Sequence, residues 1–413
     1  MTVDVFQLEK ELEELSSIKV FDENVRKGVD RILANMPNPD EEHNTEEKVR
    51  LYVLSCKALL LLPSFSKDSE RYCTAALKLR GDRPDLWVLL SECLEQRNAN
   101  KEACEALDKA LQLDSKNLKA LCQYSQIMRI LSADPKLPPQ ERTKCLSKSV
   151  ERAKEAAAVC PTEAAGWHSY GVALLSEALS SGVNIAAVRR SLMSLAQAAR
   201  LDPTDPDIRF NKSVIEAMLG NFGVATQDLL VAYKEDPKRL KGTRKRLEQY
   251  DSIVRRAVSL SESMQGTGKK TFSTMLSKLS KYKNSMTLKE ISEKEPVSSC
   301  GLTVGVVDIL SEPVMEPMVV LAADKGGEFV LLLLHGLLRD AIKLKDAVIT
   351  LSVPASKPVK VFHDMPAIPF LDTNAYSCTF THVIVDINTT IINGAPISPQ
   401  MRVSPQVSTR LFV

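Results

Sequence analysis

The sequence predicts a multidomain chain of α plus β class, in which a solenoid of paired α-helices is followed by a small antiparallel β-barrel. Three observations carry this reading. Alanine- and leucine-rich helical runs end repeatedly on nearly the same polar phrase: Leu113-Asp114-Ser115, Cys160-Pro161-Thr162, Leu201-Asp202-Pro203 and Glu235-Asp236-Pro237. From about Val297 alternating and β-branched segments replace the helical texture. Between these regions lies a stretch dense in lysine and arginine.

The repeated phrase is informative through its spacing. Pro203 and Pro237 stand 34 residues apart, a period in which two antiparallel helices cannot bury their apolar faces alone and must stack on the next pair. Counting back from the turns puts Trp87 and Trp167 early in first helices, where they read as packing residues. Ala103, Ala110, Ala198, Ala225 and Ala232 fall where second helices must approach a neighbour closely. The intervals from Ser115 to Pro161 and from Pro161 to Pro203, 46 and 42 residues, are too long for plain repeats. Leu131-Ser132-Ala133-Asp134-Pro135-Lys136-Leu137-Pro138-Pro139-Gln140 and Ser180-Ser181-Gly182-Val183-Asn184 therefore read as insertions between helices. A weaker unit precedes these, from Glu47 to Gly81, and a helical segment over 1–44 precedes that. Over about residues 45–255 the pattern resembles the tetratricopeptide repeat family in degenerate form.

A stack of this kind offers a curved inner surface lined by first helices, suited to an extended peptide or a helix, so binding is the expected function. Inward positions counted from the turns are Gln126 and Arg129, then His168, then Asp207, Phe210 and Asn211, then Lys241 and Arg244. An arginine, an aspartate and an asparagine on such a surface would read a peptide carrying acidic and basic side chains, with Asn211 holding its backbone. A clamp for chaperone carboxyl termini needs two asparagines with several basic residues, and only Asn211 is well placed.

The stretch over 256–296 reads as a basic helical neck. Lys238, Arg239, Lys241, Arg244, Lys245 and Arg246 open the charge run before it, and Lys269, Lys270, Lys278, Lys281 and Lys283 extend it. A cluster of this size suffices for contact with an RNA backbone. Gly266-Thr267-Gly268-Lys269-Lys270-Thr271 lacks the spacing and preceding strand of a phosphate-binding loop.

Six segments over 297–400 read as strands, beginning at Gly301, Pro317, Glu328, Asp346, Lys357 and Cys378, with Asp324-Lys325-Gly326-Gly327 and Asn393-Gly394-Ala395-Pro396 as turns. His335–Lys345 reads as a short helix, and residues 401–413 as a tail. Five or six strands with a helix late in the order suggest a small Greek-key barrel of the OB type, with an open sandwich as the alternative. The apolar run from Val330 to Leu338, broken by His335 and Gly336, reads as barrel core.

Composition narrows the function further. With 54 basic and 52 acidic residues the formal charge is +2, so any basic site must be local. Nine cysteines without a Cys-x-x-Cys pair read as reduced packing residues of an intracellular protein, and no metal site is expected from them. Acidic residues stand near the start where a signal peptide needs basic ones, and no apolar run reaches membrane-spanning length. No nucleophile, base and orienting residue gather at a recognisable spacing, so neither catalysis nor a cofactor is expected.

Taken in order, the degenerate repeats, Lys269-Lys270-Thr271-Phe272-Ser273-Thr274-Met275-Leu276 and Val383-Ile384-Val385-Asp386-Ile387-Asn388 in the terminal β-region together resemble the tetratricopeptide repeat protein 5 (Strap) family. The resemblance implies a cofactor of tubulin autoregulation that docks at ribosomes, grips the emerging tubulin amino terminus, and recruits an adaptor leading to a deadenylase. It also implies, as an alternative, a nuclear stress-responsive coactivator scaffold binding a histone acetyltransferase, and hence both cytoplasmic and nuclear localisation. Arg129 matches the family's groove arginine, Asp207 its groove acid, and Lys269 with Lys270 approximately its ribosome-contact segment. Lys241 stands where the family pattern is acidic.

Overall fold

The structure, a computed structural model, describes residues 5–18, 23–180, 182–236, 242–293, 301–312, 315–337, 344–352 and 358–402. The chain divides into two compact units, residues 1–173 and 174–413. In the first unit the helices are α1 (Val5–Ser17), α2 (Glu23–Asn35), α3 (Thr45–Leu60), α4 (Lys67–Leu79), α5 (Pro84–Gln96), α6 (Asn100–Leu113), α7 (Leu118–Ser132) and α8 (Pro139–Val159). The division falls within α9 (Ala164–Ser180).

The helices pack as pairs, α3 with α4, α5 with α6 and α7 with α8. Each pair is completed by the helix after it. Val88 and Leu94 of α5, Leu107 and Ala110 of α6, and Tyr124 and Ile127 of α7 form one apolar cluster, so α7 covers what α5 and α6 leave open. Val49 and Tyr52 of α3 likewise share a cluster with Ala76 of α4 and Leu86 of α5. The small residues sit at the crossings: Ala76, Ala103 and Ala110 are fully buried. At Gly166 the approach of α9 to α8 is so close that a Cβ would lie 2.8 Å from the Ala156 carbonyl oxygen.

The recurring phrase that ends each second helix is a C-cap. The backbone N–H of Arg80, Asp114 and Cys160 each donates to the carbonyl four residues back, at Ala76, Ala110 and Ala156. The cap comes just before the proline or its counterpart, which cannot continue the helix. The two tryptophans then lock the following turn. Trp87 Nε1 donates to the Gly81 carbonyl and Trp167 Nε1 to the Pro161 carbonyl, both at 2.9 Å and both six residues upstream. They are half-buried latches as well as packing residues.

The long intervals are only partly insertions. Prolines 135 and 138 do occupy the link between α7 and α8, but α8 itself runs 21 residues, and α9 and the following α10 (Ile185–Leu201) run 17 each. α5 and α6 run 13 and 14. Sequences such as Glu151-Arg152-Ala153-Lys154-Glu155-Ala156-Ala157 are strong helix formers, so the extra residues extend helices instead of looping out.

The second unit contains α10 (Ile185–Leu201), α11 (Pro206–Met218), α12 (Phe222–Glu235), α13 (Thr243–Gln265), α14 (Lys269–Leu279) and a short α15 (Leu288–Glu293). Its strands are β1 (Ser285–Met286), β2 (Gly301–Ile309), β3 (Met318–Asp324), β4 (Phe329–Leu334), β5 (Val348–Ser352), β6 (Val359–Met365), β7 (Tyr376–Val385), β8 (Ile391–Ile392) and β9 (Ala395–Pro396). The six expected strands are present. The Asn393-Gly394 turn joins β8 to β9 with φ of 51° and 83° at its two central residues, the left-handed pair a two-residue hairpin requires.

The expected barrel is corrected. The strand order β6-β7-β4-β3-β2-β5-β8-β9, with β1 beside β2, is that of an open mixed sheet whose ends do not pair among the described residues. β4 and β7 run parallel, from Val330 opposite Thr381 to Leu334 opposite Val385. The reason lies in β4, where Val330 to Leu334 are all fully buried. A strand with a solvated outer face alternates, whereas one covered on both faces is apolar throughout. Val330, Leu332 and Leu334 face a core with β2, β5 and α15, while Leu331 and Leu333 face α12 and α13. Of the predicted helix, residues 335–337 are not helical and residues 338–343 lie outside the described residues.

The helical face of the sheet carries a buried histidine pair. His363 of β6 and His382 of β7 place their Nε2 atoms 2.9 Å apart, with the Phe222 ring of α12 against both. α12 reaches this position because Gly220, at φ +86°, and Gly223 leave room for His382 and for the Asp364 backbone. Burial lowers the His363 pKa to about 4; burial and then the neighbouring His363 lower that of His382 to about 3.

Two outcomes are expected from this packing. A Cβ at Gly223 would lie 2.9 Å from the Asp364 backbone nitrogen, so Gly223→Ala should cost about 1–3 kcal/mol in denaturant unfolding, and a neutral result would refute the close approach. The histidine pair resists protonation when folded, so its contribution to stability is complete above about pH 6.5 and is lost progressively as pH falls toward 4. Thermal unfolding across that window should show the decline, and the double variant His363→Leu, His382→Leu should flatten it.

Candidate functional site

In the first unit the first helices of successive pairs, α5 and α7, bring one row of polar side chains against another. Lys119 Nζ lies 2.6 Å from Glu92 Oε1, and Gln123 Nε2 donates to the same oxygen at 2.8 Å. One turn along, Gln126 Nε2 donates to Glu95 Oε1 at 3.0 Å. The row then reaches Arg129 in the last turn of α7, which keeps only 7% of its surface exposed. The spacing follows from the helix: positions 119, 123, 126 and 129 advance by three or four residues and so share a face.

Arg129 is an unusual inhabitant of such a position. Its Nε has no hydrogen-bond partner among the described residues. Burial lowers its pKa to about 10, partly opposed by the negative charge of Glu95. Burial likewise raises the Glu95 pKa. The guanidinium is therefore still a cation at neutral pH, held out of water with its nearest acid engaged by Gln126. A buried cation in this state gains most from an incoming carboxylate, which a planar five-donor group binds in bidentate fashion.

Of the other expected site residues, Gln126 belongs to this row. Asp207, Phe210 and Asn211 lie on α11 in the second unit. Asp207 stands half-buried in the first turn, below the Asp205 cap whose carboxylate accepts from the N–H groups of Asp207 and Ile208 at 2.8 and 3.0 Å. Phe210 is buried in the apolar core shared with α12 and α13, and Asn211 is buried too. Next to them Asp228 of α12 accepts from Arg209 at 2.6 Å and from Lys212, and Lys212 also lies 3.4 Å from Glu216. Those two cations are thus committed internally. His168 is half-buried, and Lys241 lies outside the described residues.

The basic neck divides into two kinds of charge. Along α13 the cations are spent on the sheet side: Arg256 reaches Asp308 at 2.7 Å, Arg255 lies over the Tyr376 ring, Arg244 over Phe370, and Lys245 3.3 Å from Glu312. α14 is different. It seats Phe272 on Phe329, with ring centroids 5.2 Å apart and nearly parallel planes, and directs Met275 toward Gly305. Lys269, Lys270 and Lys278 on its other face, with Lys281 and Lys283 just beyond, are all exposed. The helix contains no acidic residue to offset them.

Glu92 and Glu95 escaped the sequence reading although a signal existed. They precede Gln126 and Arg129 by the same 34 residues that separate the turns, so one further count back would have set them on the same surface. A group able to hold a metal also escaped it: Cys56, Cys73 and Cys93 converge in the first unit.

No family model matches the chain. Human tetratricopeptide repeat protein 5 is 25% identical over 260 residues, covering 62% of this chain and 58% of that protein. The mouse protein of the same name is 26% identical over 239 residues, covering 57% and 53%. The chain thus spans little more than half the length of these relatives. Among solved structures, a thermophilic tetratricopeptide-repeat protein of Thermus thermophilus is 18% identical, covers 50% of this chain and 98% of its own, and superposes with a TM-score of 0.39. YrrB, described as having an unusual peptide-binding site, is 16% identical, covers 43% of this chain and 86% of its own, with a TM-score of 0.31. With two-helix units stacked through small residues, and with these matches in sequence, the chain is a tetratricopeptide-like repeat protein similar to tetratricopeptide repeat protein 5.

Proposed function

We propose that the chain is a protein-binding scaffold that captures an extended peptide through an acidic side chain along the α5–α7 row and holds a large RNA-containing particle through the lysines of α14. The carrying observation is Arg129, a buried guanidinium whose Nε has no partner among the described residues and whose nearest acid is occupied by Gln126. Such a group costs folding energy in the free protein, and a ligand carboxylate offsets that cost on binding. In keeping with the family resemblance read from the sequence, the ligand is the amino terminus of nascent tubulin, Met-Arg-Glu, and the particle is the ribosome that synthesises it. On the first unit Arg129 takes the glutamate and Gln126 holds the backbone; Asp207 and Asn211 belong to the second unit and are separate candidate peptide contacts there. Arg244, placed over Phe370, and Phe210, in the core, support the fold of the second unit.

Two modest contacts made at once give one selective one. The scaffold then delivers an adaptor and its deadenylase to tubulin messages in the cytoplasm. The exposed lysines of α14 supply the sequence-independent half, since neutralising phosphates releases counterions whatever the bases.

Binding of a fluorescent tubulin amino-terminal peptide to the purified chain, read by anisotropy, tests the first half. Arg129→Met should weaken it by about 2 kcal/mol or more, roughly thirtyfold, while leaving thermal stability equal or higher, because the variant removes a buried charge. Equal losses of stability and affinity would mean that Arg129 is structural. Co-sedimentation with ribosomes tests the second half: Lys269→Ala with Lys270→Ala should lower the dependence of log affinity on log salt by about two and leave peptide binding intact. An unchanged slope would remove α14 from the interface.

A further inference from the structure

Cys56 of α3, Cys73 of α4 and Cys93 of α5 are fully buried and come from three successive helices. Their Sγ atoms all lie within 4.8 Å of one another, and those of Cys56 and Cys93 are 3.5 Å apart. Thiolates bound to one ion through bonds of about 2.3 Å stand roughly 3.8–4.0 Å apart in tetrahedral or trigonal arrangement. The Cys56–Cys93 pair is slightly closer than that spacing, and every pair lies within 4.8 Å.

We propose that Cys56, Cys73 and Cys93 form a three-thiolate site for a soft thiophilic metal ion, of the class of Cu+ or Zn2+. Oxygen-seeking ions such as Mg2+ or Ca2+ do not suit an all-sulfur donor set. Val53, Leu60, Tyr72, Leu77, Leu89 and Leu90 pack with the sulfurs, and the Leu86 carbonyl accepts from Cys73 Sγ at 3.4 Å. Cu+ is satisfied by three sulfurs, whereas Zn2+ takes a fourth ligand. Binding forms three metal–sulfur bonds and releases up to three thiol protons to solvent, with no change of oxidation state. The ion would then tie α3, α4 and α5 together, joining one helix pair to the first helix of the next.

Because the sulfurs are buried, the full chain is refolded anaerobically, under reducing conditions, with Cu+ or with Zn2+. Bound metal is counted after desalting, and its shell is read by X-ray absorption. One ion per chain with three sulfur neighbours, together with a raised thermal midpoint, supports the site. A shell of three sulfurs alone identifies Cu+, and one with an added oxygen or nitrogen identifies Zn2+. Cys56→Ser, Cys73→Ser and Cys93→Ser should each abolish retention, and Cys104→Ser, at a buried cysteine outside the cluster, should not. Should the serine variants fail to fold, the wild-type shell still decides. Failure to retain either ion, fewer than three sulfur neighbours, or retention unchanged in a folded Cys73→Ser variant would overturn the proposal, as would a Cys56–Cys93 disulfide whose reduction yields no metal uptake.

Discussion

The molecule depends on one constraint: a pair of helices cannot bury both of its apolar faces, so each pair must be covered by the next element, and the cover must come close. The alanines make that approach possible. Ala76, Ala103, Ala110, Ala198, Ala225 and Ala232 are fully buried, and larger side chains there would push neighbouring helices apart. Gly166 and Gly223 take the same requirement to its limit, since backbone meets backbone at both. Caps and latches are consequences of the same need. A helix held close to its neighbour must end at a fixed residue, and the N–H of the residue before each turn accordingly closes on an alanine carbonyl.

In the second unit the covering element is a β-sheet. α12 and α13 lay Phe222, Leu229, Tyr250 and Val254 on the same face as Leu331, Leu333 and Phe380. The opposite face is closed by its own flanking strands and by α15. α15 is capped by two devices, a Thr287–Glu290 capping box and the buried Asp324 carboxylate, which accepts from the Leu288 N–H at 2.7 Å. A sheet covered in this way has no need to close into a barrel, because helices and not water lie against its outer face. The histidine pair sits in that interface, neutral because a charge there would have no solvent.

The polar row on α5 and α7 obeys opposite demands. Lys119, Gln123 and Gln126 satisfy the acids of α5, and that leaves Arg129 as the member whose buried charge is not balanced at hydrogen-bond distance. Stability alone would favour a methionine there. On α14 the division is simpler: the helix is anchored by the buried Phe272 and Leu279, and Lys269, Lys270 and Lys278 are exposed.

By itself the sequence determined whatever depends on near neighbours along the chain. The 34-residue period, the small residues at helix crossings, the turn prolines, the six strands and the Asn393-Gly394 hairpin were legible because capping, periodicity and left-handed turns are set within a few residues. Tertiary structure alone decided what depends on where the backbone goes next. The unbroken apolar run of β4 is compatible with a barrel core or a doubly covered strand, and only the packing of α12 and α13 selects the second. Phe210 counts as inward along α11 but is enclosed because α13 lies over it. Cys56, Cys73 and Cys93 are 17 and 20 residues apart, a spacing that matches no metal motif. They meet because three helices cross at one place, and such a meeting is a property of the path and not of the string.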